Sequence, residues 1–205
     1  MSKKEWLKRS LVAVMAIVVL FALTGCGNKK TNENKTDGST EENSTSDLAN
    51  LPEYKMDSTE DTQEFQDASS GAKFNYPTKW EVIEQDGQKL VRDSSLTGAS
   101  ANVNSADLPD SMTFDTFIAV SIQGLKQQMT IEGDVSQEWI NLNGKRAAKL
   151  DYVAKQTDAT NVNIEQIVFK NDKKVYILTT AVLADNAEVA QPELQKIVKS
   201  FRLDS

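Results

Sequence analysis

Apolar residues along this chain follow three regimes. An unbroken apolar run fills positions 11–23, apolar residues then nearly vanish from Gly27 to about Ser70, and from Gly71 onward they recur at regular spacing. The third regime predicts structure. Phe74 and Tyr76 alternate with polar neighbours, which predicts a strand over 73–76, ended by Pro77. Two more strands, 80–85 and 89–93, flank Asp86-Gly87, a dipeptide that favours a two-residue hairpin turn. A fourth short strand is expected over 101–105.

The period then changes. Phe114, Phe117, Ile118, Ile122, Leu125 and Met129 fall on one face of a helix over 113–129. Thr113 is placed to cap it, and Asp115 suits the positive end of its dipole. Four strands follow in two hairpins. Residues 135–142 and 145–154 meet at Asn143-Gly144, and 162–169 and 174–182 meet around Asn171-Asp172. In the last pair both alternating sets are largely apolar, so these strands should be covered on both faces. Pro192 is expected to open a final helix at its first position, with Leu194, Ile197, Val198 and Phe201 as its buried stripe. Consecutive hairpins and two amphipathic helices predict an α+β fold, a mainly antiparallel sheet flanked by helices as an α/β/α sandwich.

Charge and composition narrow the chemistry. The chain of 205 residues has a formal charge of −7 and no histidine. Ser-His-Asp and Cys-His nucleophilic systems and His-ligated metals are therefore excluded, and no Gly-rich phosphate loop occurs. The acidic balance offers no footprint for nucleic acid. No EF-hand spacing supports calcium at acids such as Asp107 and Asp110, and no cofactor is expected. Catalysis by carboxylates alone remains a formal alternative, but no acid pair stands out, so the chain is read as a non-enzyme.

The first two regimes set the address. Lys3, Lys4, Lys8 and Arg9 precede the apolar run, and Leu23-Thr24-Gly25-Cys26 follows it. Basic, apolar and small-residue segments in that order make an export signal. Thirteen apolar residues fall short of the roughly 18 that suggest a membrane-spanning helix. The tetrapeptide resembles a lipobox, which implies acylation of Cys26 and cleavage between Gly25 and Cys26. Two or more acyl chains would hold the protein lastingly at the membrane. The expected domains are thus a signal peptide over 1–25, a lipidated Cys26 with a disordered acidic tether over 26–70, and a folded domain over 71–205. The tether expectation rests on composition, since four lysines and eleven acids lie among very few apolar residues from 27 to 70.

Several short motifs run in order through the folded part: Phe74-x-Tyr76-Pro77-x-x-Trp80, Asn102-Val103-Asn104, Asn143-Gly144-Lys145-Arg146-Ala147, the strand around Tyr176, and Ser200-Phe201-Arg202. Together they resemble the PsbP-like domain, a group of photosystem-associated and bacterial lipoprotein domains related to the DcrB-like proteins. The resemblance implies an antiparallel sheet with packed helices, no enzymatic activity and a role in binding. The expected protein is therefore an extracytoplasmic lipoprotein, anchored to the outer side of the cell membrane, that binds a protein or envelope partner. The alternative is a small-molecule or ion-binding lipoprotein serving a transporter.

Two residue sets are candidates for recognition. Trp139 lies between polar same-face neighbours, Gln137 and Asn141, and is the better binding aromatic, while Trp80 reads as packing. Lys145, Arg146, Lys149, Lys170, Lys173 and Lys174 cluster near hairpin turns, where lysines also serve to protect sheet edges.

Overall fold

The computed structural model describes residues 48–56, 59–85, 87–95, 97–155 and 160–203. Gly25, Cys26 and most of the expected tether lie outside the described residues. Among those described, no helix is long and apolar enough to cross a membrane.

Among the described residues, eleven strands and two α-helices follow in the order β1 (Glu53–Tyr54), β2 (Thr62–Gln66), β3 (Ala72–Pro77), β4 (Glu81–Gln85), β5 (Gln88–Arg92), β6 (Ser100–Asp107), α1 (Phe114–Gln128), β7 (Ile131–Leu142), β8 (Lys145–Lys155), β9 (Asn161–Asn171), β10 (Lys174–Leu183), α2 (Ala187–Lys199) and β11 (Arg202–Leu203). Eight strands form one sheet in the order β1-β7-β8-β9-β10-β6-β5-β4, and β11-β3-β2 form a second. Every pairing is antiparallel except that of β1 with β7. This is the α+β fold expected.

The turns form as their residues dictate. Asn143 and Gly144 take φ of 50° and 83°, so both accept the left-handed conformation that a tight hairpin between β7 and β8 requires. Gly87, with φ of 77°, turns β4 into β5. The side chain of Thr113 accepts a hydrogen bond from the Thr116 amide at 3.2 Å and caps α1.

Two cores sit on opposite faces of the large sheet. On one, α1 packs Phe114, Phe117, Ile118 and Leu125 onto Ala148, Leu150, Ile164 and Val168. On the other, α2 and the small sheet together cover Ile140, Ile167, Phe169 and Leu178. Both faces of β9 and β10 are buried in this way, as their twofold apolar pattern requires.

Three expectations need correction. The folded part does not begin at Gly71. Strands β1 and β2 lie inside the expected tether, and Phe65 of β2 is buried and stacks on Phe74 of β3 with ring centroids 4.9 Å apart. One apolar residue in a polar stretch is enough here, because the ladder with β3 satisfies the β2 backbone. The strand over 73–76 belongs to the small sheet rather than the main one. Finally, Pro192 is inside α2, which starts five residues earlier than Pro192 at Ala187. A proline there forfeits one helix bond, at about 3 kcal/mol. Burial of Ala190 and the packing of Ala187 on the core offset that loss.

Candidate functional site

Two places along α2 draw side chains from distant parts of the chain. The first is its C-terminal end. The Ser200 hydroxyl donates to the Ile197 carbonyl at 2.8 Å and accepts from the Asn75 amide at 2.8 Å. Arg202 donates to the Ser200 carbonyl at 2.8 Å and to Asn75 Oδ1 at 3.2 Å, and pairs with Glu64 of β2. Asn143 Nδ2, from the β7–β8 turn, donates to the carbonyls of Lys199 at 3.0 Å and Phe201 at 3.2 Å. Phe201 packs edge-on to Phe169, 5.0 Å between centroids, and Phe169 stacks on Tyr176 at 5.3 Å. Three of the sequence motifs, around Phe74, Asn143 and Ser200, thus meet in one knot. Its orphan helix carbonyls are satisfied and its rings are close-packed, which makes it a structural junction.

The second place lies beside the middle of α2. The helix leaves a cleft of about 290 Å³ against β7, β8, β9 and β10. Gln191, Leu194 and Gln195 form its helical wall. Asp151, Asn163, Glu165 and Thr180 rise from the sheet, and Glu132 and Asp134 stand where β7 bulges at Gly133. Strand β1 pairs only with Asn141 and Leu142, so among the described residues the rest of β7 is an open edge running beside this cleft.

Glu165 dominates the electrostatics. Its side chain is 13% exposed, and the same face of β9 continues into Ile167 and Phe169. Burial pushes its carboxyl up from 4.5 to about 7, with Asp151 adding to the rise and Lys149 and Gln195 opposing it. Asp151 lies within hydrogen-bond reach, and the other partners are more distant. Gln195 Nε2 lies 3.3 and 3.4 Å from the two oxygens, and Lys149 Nζ is 3.7 Å away. Lys149 gives its short contact, 2.6 Å, to Asp151 instead. Burial alone would lower the Lys149 ammonium, but Asp151 and Glu165 hold it above its usual value. Tyr54 of β1 is raised by burial, and both Lys149 and Glu165 act on it.

Trp139 lies on the opposite face of the sheet from this cleft. It is half-buried, tilted against Phe114 at 5.7 Å, and the Arg146 guanidinium sits 3.5 Å over its ring. Asp115 holds Arg146 through two hydrogen bonds at 2.7 and 3.2 Å. One ring face of Trp139 is therefore taken by its own chain. Trp80 is buried and donates from Nε1 to Glu193 at 3.1 Å, consistent with packing.

The six basic residues do not gather into a patch. Arg146 pairs with Asp115, Lys149 with Asp151, and Lys173 with Asp110 at 2.7 Å, while Lys145 donates to Asn171. Asn102, from the second motif, is buried on the α1 face, and its Oδ1 has no hydrogen-bond partner. Among the described residues no cluster of acids could hold a metal ion. Glu165 and the cleft were not singled out by sequence reasoning. The only signal was a charged residue at an alternate position of a strand expected to be covered on both faces.

The fold has counterparts. The solution structure of the cyanobacterial PsbP, CyanoP, from Synechocystis sp. PCC 6803 superposes with a TM-score of 0.53 at 16% identity, over 70% of this chain and 93% of that one. A crystal structure from Bacteroides thetaiotaomicron VPI-5482 gives 0.52 at 12% identity, over 71% of this chain and 49% of that one, so the match spans about half of the larger protein. No curated protein matches the chain. A family model for PsbP-like protein matches residues 10–203, and the chain accordingly belongs to the PsbP-like family.

Proposed function

We propose that this chain is an exported lipoprotein, held at the outer side of the cell membrane by acyl chains on Cys26, whose PsbP-like domain acts by binding rather than catalysis. The order of basic, apolar and small-residue segments before the chain's one cysteine supports the anchor. The observation that carries the binding role is the cleft beside α2. Elsewhere that helix closes on its sheet, whereas here a nearly buried carboxylate stands beside a second one, Asp151, with Gln195 and Lys149 only at 3.3 Å or more. Such a group weakens the fold, and perturbed acids of this kind cluster at functional sites.

The partner under this reading is a protein or envelope component outside the membrane. A second reading, a small molecule or ion carried on behalf of a transporter, is favoured by the cleft's volume of about 290 Å³. That lies at the lower end of the roughly 300–1,000 Å³ usual for ligand pockets. Acid-only hydrolysis is not favoured by the arrangement. Asp151 and Glu165 stand within hydrogen-bond reach of each other, closer than the ~5 Å or more of glycosidase carboxylate pairs.

Labelling with a fatty-acid analogue tests the anchor: Cys26→Ser should abolish the label, and retained label refutes lipidation at that thiol. Crosslinking in intact cells then separates the two readings. A specific crosslinked protein supports the first, and thermal stabilisation by a metabolite without any crosslinked partner supports the second.

A further inference from the structure

We infer that the cleft beside α2 is a binding site for a small aliphatic amine, with Glu165 receiving its ammonium group. This rests on the small-molecule reading above. The lining residues include four carboxylates and no lysine or arginine. Lys149, the nearest cation, spends its short contact on Asp151 and reaches Glu165 only at 3.7 Å. The Gln195 contacts, 3.3 and 3.4 Å, are also longer than the roughly 2.7–3.2 Å of a good hydrogen bond. An ionised carboxylate has about four acceptor sites, and neither the Gln195 nor the Lys149 contact is short, so Glu165 and its neighbour Asp151 keep capacity for an incoming donor.

The walls select the kind of cation. Leu194 and Val182 give an apolar surface for a methylene chain. The side-chain carbonyls of Gln191 and Asn163 can accept further N–H groups of an ammonium. A bare metal ion fits less well, since no group of three potential ligands exists among the described residues. At the mouth, Glu132 and Asp134 supply a second anionic point. Their own partners are exposed: Asn161, which donates to Glu132 at 2.7 Å, Lys155 at 3.8 Å from Glu132, and Lys126 at 3.0 Å from Asp134. Exposed pairs of this kind are worth little and yield readily. A diamine matches both ends.

The site also carries its own pH dependence. The titratable groups facing Glu165 are Lys149 and Asp151 of β8 and Tyr54 of β1, while α2 and β10 present Gln191, Gln195 and Thr180, none of which titrates. Amine binding requires the ionised carboxylate, so it should weaken as Glu165 takes up its proton.

Calorimetric titration of the full lipidated chain in detergent, with putrescine as probe and glucose as neutral control, tests this. Saturable one-to-one binding of putrescine at pH 8, weaker at pH 5.5, is expected, with no response to glucose. Glu165→Gln preserves shape and should weaken binding about tenfold or more, the worth of a charge-assisted hydrogen bond. A cooperative thermal transition in that variant establishes that it is folded. No saturable binding at pH 8, affinity unchanged by Glu165→Gln or by pH, or binding of glucose instead would each overturn the inference. Thermal stabilisation by a metabolite that is not an amine would keep the small-molecule reading in any of those cases, so the two failures are distinguishable.

Discussion

The two places along α2 are built on opposite terms. At its C-terminal end, Asn75, Asn143, Ser200 and Arg202 exchange short hydrogen bonds, and Phe169 stacks on Tyr176 and meets Phe201 edge-on. Two turns earlier, the same helix stands over a cleft in which Glu165 sits beside Asp151 and meets Gln195 and Lys149 only at long contacts. The knot carries the residues by which the family is recognised, and the cleft carries residues that no motif includes. The difference teaches that the motifs shared with the family mark how the chain is closed, whereas the proposed site lies in the place left open.

Removing the N-terminal strands should break the closed region most severely. A chain beginning at Gly71 loses β1 and β2, the Phe65–Phe74 stack and the Glu64 partner of Arg202. It should lose cooperative unfolding in urea, while a chain beginning at Leu48 keeps it. Equal stability of the two would return residues 53–66 to the tether.

Next in size is the contrast between two aromatics. Phe201 is 1% exposed, so Phe201→Ala should cost about 3–5 kcal/mol. Trp139 is half-buried against Phe114 and Arg146, and Trp139→Ala should cost only about 1–2 kcal/mol. Chemical denaturation of both variants decides the order. Equal losses would make Trp139 core and end its candidacy for recognition.

The open region predicts a stability that falls as pH rises. Folding raises the Glu165 carboxyl from 4.5 to about 7, so the folded chain favours the protonated form. That contribution is complete below about pH 4.5 and is lost as pH climbs through 7, on the order of 3 kcal/mol by pH 8. Asp67 and Asp93 work in the opposite sense below about pH 4, outside this window. Burial alone would raise both carboxyls, but neighbouring serine and threonine hydroxyls and serine amides lower them. Urea midpoints at pH 5.5 and pH 8 should differ in the native chain, and Glu165→Gln should remove most of that difference.

Local chemistry explains which parts of this structure were legible in the sequence. The Asn143-Gly144 turn, the β4–β5 hairpin at Gly87, the Thr113 cap and the stripe from Phe114 to Leu125 depend on residues close in sequence, and each formed as expected. Strand β2 was missed because it offers one apolar residue, Phe65, and gains its stability from pairing with β3. The start of α2 was misplaced because Pro192 reads locally as a helix beginning, while long-range burial of Ala190 carries the helix upstream. Glu165 was invisible as a site for the same reason. Its desolvation comes from α2, whose Gln195 is 30 positions further along the chain.

The proposed site depends on Glu165 being a desolvated carboxylate beside Asp151. Carbon-13 NMR of the Glu165 side-chain carboxyl across pH 3–9 measures this directly. A midpoint near 7 is predicted, from burial that Lys149 and Gln195 only partly offset. A midpoint in the ordinary glutamate range, about 4.3, would show a solvated or well-paired group and contradict the claim that the cleft was left open for a ligand.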